Sequence, residues 1–402
     1  MSELSYDPWS ARFVADPYPV FERLRTERPV FHDEATGQWV VTRYADVDAL
    51  LRDRRLGRSY LHVGTHEEFG QRPEPDFLKP FWDLIRAGML DVEPPTHTRL
   101  RRLVSKAFTA RMVEGLRPMI RGLAEDLVAG LVARGGGDLL ADLAEPLPVN
   151  VIAEMLGVPV EDRGLLRPWS ADICGMYELN PSEDVQHRAV RAANEFSDYL
   201  RGLARARAAE PRDDLISALA RVVDEGDRLT EDELIGTCVL LLNAGHEATV
   251  NATGNGWWAL FRNPGELERL RADHSLVPTA VEELLRYDGP APMFERWVLE
   301  DIEVAGVSIP RGHEVALQFA SANRDPEVFN DPDKLDLGRD PNPHISFGLG
   351  IHYCLGAPLA RIEMAESFGA VLRAAPTLKL KAEPQWKPGY VLRGLESLDV
   401  EL

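Results

Sequence analysis

The sequence predicts a mainly α-helical protein carrying a few small β-sheets. Two observations predict it. The helical segments are long: residues 230–261 open on Thr230-Glu231-Asp232-Glu233, a capping box in which a hydroxyl is followed three residues later by Glu, and continue well past the average helix length. Residues 111–133 form a second long helix, stopped at Gly135-Gly136-Gly137. The strand-like segments are short by comparison, as in 38–42 and the pair 302–304 and 307–309 around Ala305-Gly306.

In chain order, 16–28 reads as a short helix with Pro17 tolerated in its first turn, 38–42 as a strand and 44–52 as an amphipathic helix. Residues 56–80 lack periodicity and carry Gly64, Gly70, Pro73, Pro75 and Pro80; a loop of that length in a folded chain is functional or mobile. Phe77, Phe81, Trp82, Ile85, Met89 and Leu90 come next and serve either core or pocket. In 94–106, His97 and Arg101 stand four apart and share a helical face, while Arg99, Arg102 and Lys106 cluster on the opposite one. Pro148 and Pro159 bracket a helix over 149–157. Strands are expected at 378–380 and 390–392, flanking a turn at Gly394 that is expected to line a pocket.

The composition removes several function classes. A formal net charge of −20 over 402 residues argues against nucleic acid and against anionic membrane surfaces. The N-terminus, Met1-Ser2-Glu3-Leu4, has neither a basic nor an apolar leader segment, and no run approaches a membrane span. Three cysteines, Cys174, Cys238 and Cys354, make no disulfide framework and fit a reducing compartment. The expectation is a soluble, cytoplasmic protein with no membrane or nucleic-acid partner.

The chemistry concentrates in Phe347-Gly348-Leu349-Gly350-Ile351-His352-Tyr353-Cys354-Leu355-Gly356, followed by a helix that begins near Pro358. Spaced glycines let the loop turn sharply and approach a flat partner. A thiolate just before a helix start is stabilised by free backbone N–H groups and the helix dipole. Such a cysteine donates to iron, and thiolate is the axial haem ligand that pushes electron density toward O–O cleavage. A buried cysteine in a glycine-rich turn is the bland alternative, but a lone cysteine does not account for the whole spaced string. This string resembles the haem-binding signature of the cytochrome P450 family.

The resemblance covers nearly the whole chain and implies a cytochrome P450 fold: residues 1–402 as one large helical domain with small sheets, and haem b (iron protoporphyrin IX) buried between helices 230–261 and 358–372. It implies Cys354 as iron ligand, with Phe347, Gly348, Gly356 and Ala244 against the cofactor. His97, Arg101, Arg296 and His344 are implied as partners of the haem propionates. Glu283 and Arg286 resemble the family's Glu-x-x-Arg pair, with Arg339 as its third member. The segment 56–80 corresponds to the cover of the substrate pocket, 168–184 to the lid over its distal side, and Met293 and Phe294 are expected to face the substrate.

On the oxygen side, Ala244-Gly245-His246-Glu247-Ala248-Thr249 resembles the family's proton-delivering helix. A zinc helix is rejected, since Val250 stands where a second histidine is needed. Glu247 supplies the expected acid; Ala248 stands where a hydroxyl is usual, and Thr249 is one step on, about 100° away. Some relatives that oxidise polyoxygenated polyketides carry alanine there, and are thought to use a substrate hydroxyl and waters instead. The implied activity is monooxygenation of a hydrophobic, polyoxygenated natural product, a polyketide, macrolide or terpenoid, by a monomer. Electrons come from NAD(P)H through ferredoxin reductase and ferredoxin, and the stripe Arg99, Arg102, Lys106 is either a solvated face or a ferredoxin docking patch. The missing hydroxyl keeps a peroxide-driven enzyme open, although Glu247 speaks against it; a non-catalytic haem sensor is the remaining alternative.

Overall fold

The long apolar segment does become one uninterrupted helix. In the computed structural model, which describes residues 5–402, the central helix spans Glu231–Arg262. Thr230 caps it by accepting from the Glu233 amide while the Glu233 side chain accepts from the Thr230 amide. Such a reciprocal cap satisfies two otherwise orphaned donors. The helix is buried along most of its length and packs against the helix Ala357–Ala374. Gly256 permits this approach: a Cβ there would lie 2.9 Å from the Phe368 ring, and Trp257 stacks on that ring at 4.9 Å. A third helix, Ala110–Ala133, packs along Ala357–Ala374 and completes the core behind the cysteine.

The β-structure is peripheral. Five short strands form one sheet in the spatial order Val30–Asp33, Gln38–Val41, Glu314–Leu317, Phe294–Val298, Leu56–Gly57, parallel only between Gln38–Val41 and Glu314–Leu317. The predicted hairpin pairs Ile302 with Ile309 and Val304 with Val307. Three differences from the sequence reading are found. Within 56–80 only Leu56–Gly57 and the short turn Asp76–Leu78 are regular, and a helix, Lys79–Ala87, starts at its end with Pro80 in the first turn, where its missing N–H costs nothing. Residues 294–298 form an interior strand, between Glu314–Leu317 and Leu56–Gly57. Residues 390–392 form no strand, because their three amides donate instead to the Glu178 carboxylate, at 2.9, 3.2 and 2.8 Å.

Candidate haem and substrate site

The cysteine loop is held from both sides. Gly348 and Gly350 adopt φ of +64° and +70°, in the left-handed region where side chains are strained, and a Cβ on Gly350 would strike the Leu51 carbonyl oxygen. The Cys354 amide donates to the Phe347 carbonyl at 2.9 Å, closing the loop under the helix start at Ala357. Burial raises the Cys354 thiol pKa; the Gly356 and Ala357 amides and the Arg101 guanidinium work against that rise. Behind the loop lies the predicted buried triad. Glu283 accepts from Arg286 at 2.7 and 2.8 Å and from Arg339 at 3.0 Å, and both Glu283 and Arg286 are fully buried. Arg286 also donates to the Asn323 carbonyl, and Asn323 in turn holds the Ile345 amide and the Ser346 hydroxyl. The triad thereby fixes the backbone that enters the cysteine loop.

Above Cys354 opens a cavity of about 580 Å³. Cys354, Phe347, Gly348 and Gly356 line one wall, Ala244, Ala248 and Thr249 of the central helix face it, and Arg101 and Arg296 reach its rim. Arg101 donates to the Tyr353 carbonyl at 2.7 Å. Burial, with Arg58 nearby, lowers the Arg296 pKa to about 9. His352 lines the cavity, its Nε2 3.6 Å from the Glu93 carboxylate and short of a hydrogen bond; His97, expected at the cofactor, does not line the cavity but is buried behind His352 with both ring nitrogens unpartnered, 4.3 Å from it ring to ring. Burial, His352 and Arg101 together push the His97 pKa down to about 4. A flat, dianionic, thiolate-bound cofactor matches this set: one sulfur, two guanidiniums and the His352 imidazole on the cavity wall, where paired carboxylates need such donors.

Several expected roles change. His344 is withdrawn as a propionate contact: its Nε2 lies 3.0 Å from Glu282, its Nδ1 accepts from the Ser346 amide, and it is off the cavity wall. His352, two residues before Cys354, occupies the rim instead; its place inside the glycine-rich string was the available signal. Glu247 does not line the cavity, and its carboxylate sits 3.6 Å from Lys387. Glu363 does line it, an acid the sequence reading did not single out. It is buried, Oε1 has no partner, and burial pushes its pKa up to about 8, partly offset by the Thr249 hydroxyl facing it. Phe294 lines the cavity, but Met293 is fully buried in the core against Phe13 and Tyr390. The stripe Arg99, Arg102, Lys106 is no open docking patch, since these residues pair with Asp224, Glu225, Asp227 and Glu233 of the chain itself.

Fold and site thus define a haem-thiolate protein. A family model described as Cytochrome P450 matches residues 175–375. The polyketide biosynthesis cytochrome P450 PksS of Bacillus subtilis is 39% identical over 412 residues, covering all of both chains. The 6-deoxyerythronolide B hydroxylase of Saccharopolyspora erythraea is 38% identical over 404 residues, covering 98% of each. The solved structure of the Bacillus PksS superposes with a TM-score of 0.90, covering 99% of this chain and 100% of that one. The chain belongs to the cytochrome P450 family. It is a P450 monooxygenase whose cofactor is haem b, and among its described residues no helix is long and apolar enough to cross a membrane.

Proposed function

We propose that this monooxygenase inserts one atom of O2 into a hydrophobic, polyoxygenated polyketide or macrolide, by hydroxylation or epoxidation, acting as a monomer. Ferredoxin and its reductase pass it two electrons from NAD(P)H. For a hydroxylation the balance is R–H, O2, NAD(P)H and one proton giving R–OH, NAD(P)+ and water. The observation that carries this reading is the cavity itself, with a cysteine sulfur on one wall and the small Ala244 and Ala248 on the other.

Bound haem supplies the iron that activates dioxygen, with the Cys354 thiolate as its ligand. Arg101, Arg296 and His352 hold its propionates, and His97 supports His352 from behind. Ala248, small and on the cavity wall, would leave room for oxygen and substrate together. Glu363, with a pKa of about 8, holds a proton near neutral pH at a carboxyl that faces the Thr249 hydroxyl; a group poised near the working pH is suited to passing it on. Thr249 then delivers the proton to the cavity, and Glu247, beside Lys387, exchanges protons with the outside.

The test uses haem-loaded protein, a ferredoxin, its reductase and NADPH, with macrolactones that give a low-to-high spin shift as substrates. One oxygen-18 atom from labelled O2 is expected in each product. Turnover with hydrogen peroxide but not with the ferredoxin chain overturns the reading in favour of a peroxygenase.

A further inference from the structure

Asn243 sits in the middle of the central helix, directly after Leu240-Leu241-Leu242. An asparagine is a poor choice there, because its short amide competes with the helical backbone. It is only 2% exposed, it lines the cavity, and neither Nδ2 nor Oδ1 has a hydrogen-bond partner. Rotating the amide by 180° changes nothing, since both ends are unpaired. The Cys174 thiol points to the Asn243 backbone carbonyl at 3.8 Å and so leaves the side chain alone.

The surroundings say what would pair with it. The Tyr177 hydroxyl, also on the cavity wall, faces the amide without completing a hydrogen bond to it. Further along the same wall Arg58 is held by Asp91 at 2.8 Å, so that pair presents no net charge. The rest of the wall near Asn243 is apolar, with Leu240, Leu241 and Ala244. A side-chain amide offers one acceptor and one donor group side by side. Its complement is a neutral group that also carries both, a hydroxyl next to or one carbon from a carbonyl. With Arg58 and Asp91 already paired to each other, a neutral group is the better match to this part of the wall.

We infer that Asn243 is a specificity-determining residue, pairing with a neutral hydroxy-carbonyl group on an otherwise apolar substrate, with Tyr177 as a second hydrogen-bonding contact. The inference rests on the proposed monooxygenation of an oxygenated polyketide and narrows it. Asn243 and Ala248 are five residues apart, about 7.5 Å along the helix axis, which sets the spacing between the recognised group and the carbon held over Cys354. Binding energy spent on that distant group orients the reacting carbon.

The experiment compares wild type with Asn243→Leu and Asn243→Gln, all haem-loaded. The probes are 6-deoxyerythronolide B, a macrolactone bearing hydroxyls and a ketone, and pentadecanolide, a macrolactone with neither; binding is read as the spin shift of the Soret band. Asn243→Leu is expected to weaken 6-deoxyerythronolide B tenfold or more while leaving pentadecanolide within about twofold, and Asn243→Gln is expected to recover part of the loss. Because the amide is unpaired within the protein, the ligand-free Asn243→Leu variant is expected to melt at the same temperature as wild type or higher. A lower melting temperature assigns Asn243 a structural role and overturns the inference. Equal loss for both probes, or a wild type that binds 6-deoxyerythronolide B no better than pentadecanolide, overturns it as well. Ferredoxin-driven oxidation of pentadecanolide alongside any of those results leaves the monooxygenase reading standing without Asn243.

Discussion

Replacing Glu283 by Gln tests whether the cysteine loop depends on a charge buried far from the cavity. The change keeps the size of the side chain and removes one charge and one strong acceptor. Glu283 accepts five hydrogen bonds: two from Arg286, one from Arg339, one from the Asp336 amide at 3.0 Å and one from Asn342 at 3.2 Å. Both Glu283 and Arg286 are fully buried, so the substitution leaves a guanidinium charge with nothing to oppose it. Breaking such a pair by removing one partner costs about 3–5 kcal/mol. The loss falls on a defined path, because Arg286 also holds the Asn323 carbonyl and Asn323 holds Ile345 and Ser346 just before Phe347. The expected result is a denaturation midpoint shifted by that energy, poor haem retention and, in what remains folded, loss of the carbon monoxide band that marks thiolate ligation. A loss below about 1 kcal/mol with an intact thiolate band would refute the reasoning, since it would mean that solvent reaches Arg286 or that the loop holds its shape unaided.

Further outcomes follow from single sites. Glu363 has a folded-state pKa of about 8 against an ordinary 4.5, so between those values the folded protein keeps a proton that the unfolded chain has released; stability therefore falls as pH rises through that window, and Glu363→Gln is expected to flatten the decline by one proton, checked by denaturant titrations at pH 5, 7 and 9. The same variant is expected to divert reducing equivalents from product to peroxide, read as the ratio of NADPH consumed to product formed, and parallel pH curves with unchanged coupling would remove Glu363 from the scheme. Glu178→Ala deprives the Tyr390, Val391 and Leu392 amides of their shared acceptor; hydrogen exchange of those amides is expected to speed up tenfold or more, and because Val391 and Leu392 line the cavity, spin-shift affinities are expected to fall with it. His352→Phe keeps the ring but removes the nitrogens at the cavity rim, and is expected to weaken haem binding several-fold, measured by transfer of haem to apomyoglobin, while His344→Phe is expected to act only through its contact with Glu282.

What was legible in the sequence was local and repetitive. The capping box at Thr230, the glycines around the cysteine and the Glu283-x-x-Arg286 spacing are each set by neighbours within a few residues, and each stands where expected. Arg339 was legible only through the family resemblance, yet its contact with Glu283 spans 56 residues of chain. What escaped was decided by distant partners. His344 and His352 are both histidines of the same segment and both stand beside a glutamate, Glu282 and Glu93; only packing shows that the second lines the cavity and the first does not. The basic stripe at Arg99, Arg102 and Lys106 looked open on its own helix because the acids that cover it lie more than 110 residues later in the chain. Residues 390–392 alternate no differently from a strand, but the Glu178 carboxylate takes the amides that a neighbouring strand would need.

The same distinction bears on the oxygen side. A hydroxyl at 249 instead of 248 is displaced by about 100° around the central helix, and on that helix alone it is a poor replacement. The turn does not carry Thr249 into an inert wall, however. It carries it toward the neighbouring helix Ala357–Ala374, which Gly256 lets approach closely, and there it meets Glu363. An apolar neighbour would have left the hydroxyl bonded to its own helix backbone, the usual fate of a buried threonine. The Glu363 carboxyl instead gives the hydroxyl a partner from across the interface, and the methyl of Ala248 leaves the volume beside it open. Alanine and threonine at 248 and 249 therefore work as a pair: moving the hydroxyl by one residue exchanges a side chain over the cavity centre for one at the junction of two helices. On the proposed proton route that exchange requires an acid at 363, so the chemistry of the central helix would be set as much by the helix that follows the cysteine as by its own sequence.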